Sequence, residues 1–314
     1  TNVALDYLKK RGFSDETIRT FGYGYSRKYK AISVPIHDLY GRVVGFALRK
    51  LEGEPKWINT KNSSLYDKSS ILYNLHRALP CVKKNIFVVE GYFDVAAFYQ
   101  AGIKNVVAIC GSTLTKKQAQ LLNKLAGGLQ IVLVPDMDDP GLQAAEKNIK
   151  LLNQMGLIVD VIELSEKDAA DVLVKDGEAA LASCAGKKIN SYFFLTKRII
   201  KKNPDRSVQY TKVKEFLQEV NEVNNLLVDD IIEEYLSKVW DKDPKLIHEY
   251  ITGTEPETTI PHEKIKTIAG IVDDYLDFIK TSKGFRIRTG FPTADDVCQG
   301  LYPDRSDILT LLGF

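Results

Sequence analysis

Between residues 86 and 164 four short apolar runs, 86–89, 106–109, 131–134 and 159–164, alternate with three stretches of helical periodicity. Strands this uniformly apolar have no polar face to show to water, so they belong in a parallel sheet covered by helices on both sides. An open sheet of that kind leaves its ligand crevice outside the carboxyl ends of the strands. Two of the runs end there in acids: Val-Val-Glu90-Gly-Tyr-Phe-Asp94 and Val-Pro-Asp136-Met-Asp138-Asp139-Pro-Gly141. Carboxylates aimed at one point either raise one another's pKa or bind a divalent cation, and an all-oxygen donor set favours Mg²⁺ or Mn²⁺ over zinc. The chemistry this suggests is phosphoryl or nucleotidyl transfer.

The rest of the chain differs in character. Residues 3–11 predict a short helix, and Ser14, followed by Asp15 and Glu16, predicts the capped start of a second. Alternating β-branched stretches at 31–36 and 42–50, separated by the polar turn 38–41, predict a hairpin. After Gly186 helical spacing returns at 192–200, 213–220 and 226–239; 252–261 reads as a linker and 263–279 as one more amphipathic helix. The net charge of +2 hides an asymmetry, because residues 1–89 hold sixteen Lys and Arg against seven Asp and Glu. At 314 residues, 44% of them hydrophobic, the chain is long enough for two or three domains. Cys81, Cys110, Cys184 and Cys298 form no CxxC pair, which excludes a zinc ribbon or a disulfide framework and fits a reducing, cytoplasmic compartment. No apolar run is long enough to span a membrane and no signal peptide opens the chain.

The EGYFD segment, the strand Val-Val-Ala-Ile-Cys-Gly-Ser after it and the DMDDPG segment together resemble the Toprim catalytic domain. More widely the chain is similar to the RNA-polymerase domain of DnaG-type bacterial primases. Tyr7 to Gly24 matches that family's leading helices, and Gly45-Phe-Ala-Leu-Arg49, Pro55-Lys56-Trp57-Ile58-Asn59, Leu65-Tyr-Asp-Lys68 and Leu72-Tyr-Asn-Leu75 follow its order of basic positions. DMDDPG with Lys167-Asp168-Ala169-Ala170-Asp171 looks more like the primase portion of bacteriophage primase-helicases and Twinkle. Thr289 to Asp296 resembles the approach to a DnaB-type helicase core, and Asp307 to Leu312 the strand before a Walker A loop, although no GxxxxGK[ST] follows.

The resemblance implies an α/β fold: a Toprim parallel-sheet core with an N-terminal basic α+β subdomain and a C-terminal helical subdomain. The implied partition is 1–85, 86–186 and 187–251, then a linker and helix at 252–288 and the start of a helicase-like domain at 289–314. It implies a DNA primase, a nucleotidyltransferase that makes short RNA primers on single-stranded DNA from nucleoside triphosphates. Glu90, Asp136 and Asp138 are the expected catalytic residues and, with Asp168, the expected ligands of Mg²⁺ or Mn²⁺. In Asp-x-Asp, alternation along an extended segment turns Asp136 and Asp138 to the metal and Met137 to the core, with Asp139 peripheral. Asp94, one helical turn beyond Glu90, takes a supporting role. Ala170 stands where the family often has a polar residue, which weakens the third ligand position. Arg49, Lys56 and Lys68 are the expected nucleotide and DNA binders, with Trp57, Tyr66 and Tyr73 as stacking faces beside them.

Blander readings stand beside these. A single carboxylate at a strand end is more often a helix cap, and a basic segment is more often a solvated face. Gly111 and Ser112 fit either an ordinary turn or a phosphate-facing one. His37, His76, His248 and His262 lack ligand spacing, and Tyr92 reads as a packing aromatic rather than a nucleophile. The alternative function is a catalytically inactive single-stranded-DNA-binding module of a Twinkle-like helicase. Self-association into a helicase ring through 262–288, and the absence of an N-terminal zinc module, complete the expectations.

Overall fold

The computed structural model describes residues 2–125, 129–157, 159–224 and 230–252. The helix expected at 263–279, the helicase-like segment 289–314 and all but the first residue of the linker lie outside the described residues. The chain divides into two units, Thr1–Ile247 and His248–Phe314, and both sheets belong to the first.

Two helices, α1 (Asn2–Lys10) and α2 (Asp15–Phe21), open the fold. The Ser14 side chain accepts the Thr17 N–H and Gly22, at φ +64°, closes α2 in the left-handed conformation that a residue without Cβ adopts at least cost. An antiparallel sheet follows in simple sequence order: β1 (Gly24–Ser26), β2 (Ala31–His37), β3 (Val43–Lys50) and β4 (Trp57–Asn59). The hairpin β2–β3 is the expected one, its turn held by Asp38, which accepts the Tyr40 and Arg42 N–H groups at 2.9 and 3.0 Å. A short helix α3 (Leu75–Ala78) leads into the second sheet.

That second sheet has the order β6-β5-β7-β8-β9, built from β5 (Asn85–Val89), β6 (Val106–Ala108), β7 (Gln130–Val134), β8 (Val159–Val161) and β9 (Ile189–Asn190). The first four are mutually parallel, and β9 runs antiparallel on the β8 edge. Crossover helices α4 (Tyr92–Gln100), α5 (Lys116–Leu125) and α6 (Asp139–Asn153) link successive strands, and α7 (Ala169–Cys184) follows β8. The observed β8 is three residues shorter than its apolar run, because after Ile162 N–H reaches Leu133 O the chain leaves the ladder to carry 163–168 across the carboxyl edge. Strand β9 was not expected; two residues are too few to set up a pattern.

The period-two alternation of the strands sorts their side chains onto two faces. Phe87, Val89, Val106, Ala108, Val132 and Val134 face α4, α7 and the N-terminal elements, while Ile86, Val88, Val107, Ile131, Leu133 and Val161 face α5, α6 and Phe194 of α8 (Ser191–Lys202). Aromatic contacts fasten the leading helices to α4: Phe13 lies 5.5 Å from Phe93 and Phe21 5.3 Å from Tyr99, ring centre to ring centre. Both phenylalanines are fully buried, each contributing roughly 2 kcal/mol from removal of apolar surface from water. Gln100 adds a polar clamp, accepting Ser14 N–H and donating to Gly12 O, both at 2.9 Å. The basic N-terminal part is therefore held against the strands whose ends carry the acids. Helices α9 (Arg206–Asn224), α10 (Asp230–Trp240) and α11 (Pro244–Thr252) complete the described chain, with Trp240 Nε1–H donating to Gln209 Oε1 at 3.0 Å.

Candidate active site

Three helices begin at the carboxyl edge of the parallel sheet, and each has a carboxylate on its exposed N–H groups. At the start of α4, Asp94 accepts the Gly91 N–H at 3.1 Å. Asp138 is the N-cap of α6 and accepts Gly141 N–H at 2.9 Å; Asp168 is the N-cap of α7 and accepts Asp171 N–H at 2.8 Å. Helix capping is the blander reading of these acids; it accounts for Asp138, while Asp168 combines a cap with a place in the cavity. Asp94 also accepts Ala170 N–H at 3.4 Å, and Met137 N–H reaches Lys167 O at 2.7 Å, so the loop before α7 is stitched to both neighbouring strand ends. Gly141 makes this closeness possible, since a Cβ there would collide with the Asp136 carbonyl and come within 2.7 Å of Asp136 Cβ.

Glu90, Asp94, Asp136 and Asp168 line one cavity of about 320 Å³. Arg11, Arg49 and Lys68 line the same cavity, as do Trp57, Asn59 and Tyr92. Arg49 is oriented by Tyr7, whose hydroxyl accepts its Nε–H at 3.3 Å, and lies over the Trp57 ring at 5.5 Å. Arg11 reaches toward Asp171 at 3.7 Å. Tyr92 donates its hydroxyl proton to Asn59 Oδ1 at 2.6 Å and packs 4.9 Å from both Trp57 and Tyr73. That matches its reading as a packing aromatic.

The electrostatics follow from this crowding. Burial, then the Asp136 charge, pushes Glu90 up to about 7. Asp136 is raised to about 6 by burial and by Asp168 and Asp138. Asp94 and Asp168 are raised too, in both cases chiefly by burial. Asp138 moves the other way: Lys167, 2.8 Å from its Oδ2, and the Gly141 N–H hold it below the usual carboxylate range. The donor set, hard oxygens that repel one another in a half-buried cavity, suits a divalent cation. The carboxylates do not already close into a ligand shell, and among the described residues no three His, Cys, Asp or Glu side chains converge tightly enough to hold an ion as they stand.

Glu90, Asp136, Asp168, Arg49 and Lys68 thus meet in one cavity, while Asp138 and Lys56 are not among its lining residues. Alternation explains the second, and the start of α6 overrides it for the first. Lys56 precedes Trp57, which faces the cavity, and so turns to the other side of the sheet; Asp138 turns its oxygens to α6 and Lys167. Met137 is part-buried against both cores and Asp139 is exposed, as expected. Tyr66 and Tyr73 are buried in the core, about 2% and 1% exposed, which removes them as stacking faces; their alternation with basic residues concealed tertiary packing. Gly111 lines the cavity and Ser112 is exposed. Sequence reading missed Arg11 and Asn59; the basic end of α1 was the available signal for the first.

Two family models match parts of the chain. Residues 87–173 match the Toprim-like family model and 29–79 match that of the DNA primase catalytic core, N-terminal domain. The chain carries a Toprim/DnaG-type primase catalytic core. Over 135 residues it is 43% identical to a DNA primase of Synechococcus elongatus, covering 42% of this chain and 20% of the relative. It is 34% identical over 280 residues to a DNA primase of Legionella pneumophila, covering 73% and 48%. The chain thus spans about half or less of the length of these curated relatives. A crystal structure of a DNA primase domain from Pseudomonas aeruginosa superposes with a TM-score of 0.61 at 22% identity, covering 79% of this chain and 92% of that one. At that identity the likeness speaks for the fold: a Toprim parallel sheet with flanking N-terminal and C-terminal subdomains. No described helix is long and apolar enough to cross a membrane.

Proposed function

We propose that this Toprim core is a DNA primase, extending short RNA primers on single-stranded DNA by divalent-metal-dependent nucleotidyl transfer. One observation carries the reading: four acids from three strand ends and the cations Arg11, Arg49 and Lys68 line a single cavity. Carboxylates for cations and basic groups for phosphates in one cavity are what a template-directed transfer needs, whereas a helix cap alone would need neither.

In this reading Glu90, Asp136 and Asp168 hold Mg²⁺ or Mn²⁺, and Asp138 joins them once Lys167 releases it. Bound there, the cation would lower the pKa of a primer 3′-hydroxyl and offset the charge that builds on the transferred phosphoryl group. Glu90, on the same cavity, would alternatively act as the base that takes the hydroxyl proton. Arg49 and Lys68 grip the triphosphate, with Arg11 beside them, and Trp57 and Asn59 border the incoming base. Asp94 keeps the starts of α4 and α7 together, so its role is positioning. Lys56 would meet the template outside the cavity. The partition 1–85, 86–186 and 187–251 assigns phosphate grip, chemistry and support in that order. Membership of the primase-helicase branch, a ring-forming partner and a cytoplasmic location rest on the sequence features alone.

The inactive DNA-holding reading has one observation in its favour, the engagement of Asp138 by Lys167. Primer extension on single-stranded DNA with labelled nucleotides and Mg²⁺ or Mn²⁺ separates the two. Metal-dependent products lost in Asp136→Ala support the polymerase; no product on a preformed primer, with single-strand binding intact, would sink it.

A further inference from the structure

The segment 163–168 crosses the carboxyl edge of the parallel sheet and is fixed there at two points. Lys167 O accepts Met137 N–H at 2.7 Å, between Asp136 and Asp138, and Asp168 caps α7 one residue later. The backbone alone therefore delivers the Lys167 side chain into the neighbourhood of the acids. Its ammonium settles on Asp138 Oδ2 at 2.8 Å, while Asp138 Oδ1 takes the Gly141 N–H at 2.9 Å. Both oxygens of that carboxylate are in use.

Other cations at this edge choose other partners. Arg11 lies 3.7 Å from Asp171 and Lys175 pairs with Glu166, acids outside the expected ligand set. Lys167 takes a member of that set, and its charge extends to the rest. Asp138 holds the ammonium most strongly, with Asp136 and Asp168 adding to the attraction. In return the ammonium works against the burial that raises Glu90, Asp136 and Asp168. One positive charge is thus shared by four carboxylates, which is also what a divalent cation would do there. The two cannot share Asp138 Oδ2, because an ion on that oxygen would meet the ammonium as a like charge. Lys167 is not locked in place either: its side chain is 57% exposed, and an ion pair open to water on a four-carbon stem exchanges at little cost.

We propose that Lys167 is a positioning residue that serves this site as a resident counter-ion: its ammonium holds Asp138 out of the ligand set until a divalent cation displaces it, and so sets how much Mg²⁺ or Mn²⁺ the site needs. The proposal rests on the reading above in which Asp138 becomes a ligand. An ion pair that merely anchored the loop would behave in the opposite way, since removing the ammonium would weaken the fold and leave metal binding unchanged or poorer. The two roles differ in the sign of one measurable quantity.

The test titrates Mn²⁺ into the full 314-residue chain by calorimetry at one fixed pH, without nucleotide or template, and compares it with Lys167→Gln and Lys167→Arg. Both variants keep the backbone carbonyl that receives Met137 N–H. Lys167→Gln should bind Mn²⁺ about five- to tenfold more tightly, and Lys167→Arg, which keeps the charge, should stay within about twofold of the unmodified protein. In metal-free buffer Lys167→Gln should melt lower, and saturating Mn²⁺ should raise its melting temperature by more than that of the unmodified chain. In an Asp138→Asn background most of the gain from Lys167→Gln should vanish. Unchanged or weaker Mn²⁺ binding by Lys167→Gln would overturn the proposal, as would no Mn²⁺ binding by either protein. A full gain that persists with Asp138→Asn would place the effect on the cluster as a whole and overturn it equally. Failure of the primase reading is seen separately, as absence of primer extension by the unmodified protein while the difference in Mn²⁺ affinity persists.

Discussion

Glu90→Gln offers a direct test of how the cavity's charge is balanced. Glu90 is held at about 7 instead of its usual 4.5, by burial first and by Asp136 second. A raised folded-state pKa means that the native protein binds the proton more tightly than the unfolded chain. The associated stability is thus fully present below about 4.5 and is lost as pH rises through about 7. At 1.36 kcal/mol per pKa unit the full effect is about 3 kcal/mol; discounted for partial solvent screening and for sharing with Asp136, about 1–2 kcal/mol remains at pH 8. Gln keeps the acceptor that receives Asp136 N–H at 3.4 Å and removes only the charge. In metal-free buffer at about pH 8 the variant should melt roughly 3–6 °C above the unmodified protein. At pH 5, where Glu90 is already protonated, the two should nearly coincide. Adding Mn²⁺ at pH 8 should stabilise the unmodified protein and close most of the gap. Equal melting at pH 8, or an equal gain at both pH values, would show that Glu90 carries no buried charge burden and refute the reasoning.

Other consequences are simpler to state. Gly141→Ala places a methyl against the backbone and Cβ of Asp136; a loss of about 1–3 kcal/mol in urea unfolding with weakened Mn²⁺ binding is expected, and normal metal binding would count against it. Asp168→Ala removes the α7 cap as well as a cavity carboxylate, so stability should fall by about 1 kcal/mol and divalent affinity with it, whereas Asp168→Asn should restore only the stability; a titration calorimeter and a melting curve separate the two. Because Glu90 and Asp136 must lose protons to bind a cation, apparent Mn²⁺ affinity should rise between about pH 6 and 7, and a flat profile would contradict the raised values.

The parallel sheet, its four parallel strands and the acids at their ends were legible because apolar runs and strand-end carboxylates are local patterns that burial and ladder geometry impose residue by residue. The Ser14 cap and the β2–β3 hairpin were legible for the same reason, since their chemistry lies within a few residues. What the sequence could not rank were residues whose meaning depends on distant neighbours. Tyr66 and Tyr73 look like Trp57 in a basic stretch, yet the first two are core and the third borders the cavity. Asp138 and Asp136 are equivalent by spacing; only the start of α6 and the approach of Lys167 divide them. Arg11, far from the acids along the chain, joins them because Phe13, Phe21 and Gln100 fasten the leading helices to α4. Sequence by itself determined the sheet and the chemical type of its edge, because strand period and residue type are intrinsic to each segment. Tertiary structure alone decided which cations share a cavity with those acids and which aromatics stay in water, because that depends on contacts between segments that no local pattern encodes.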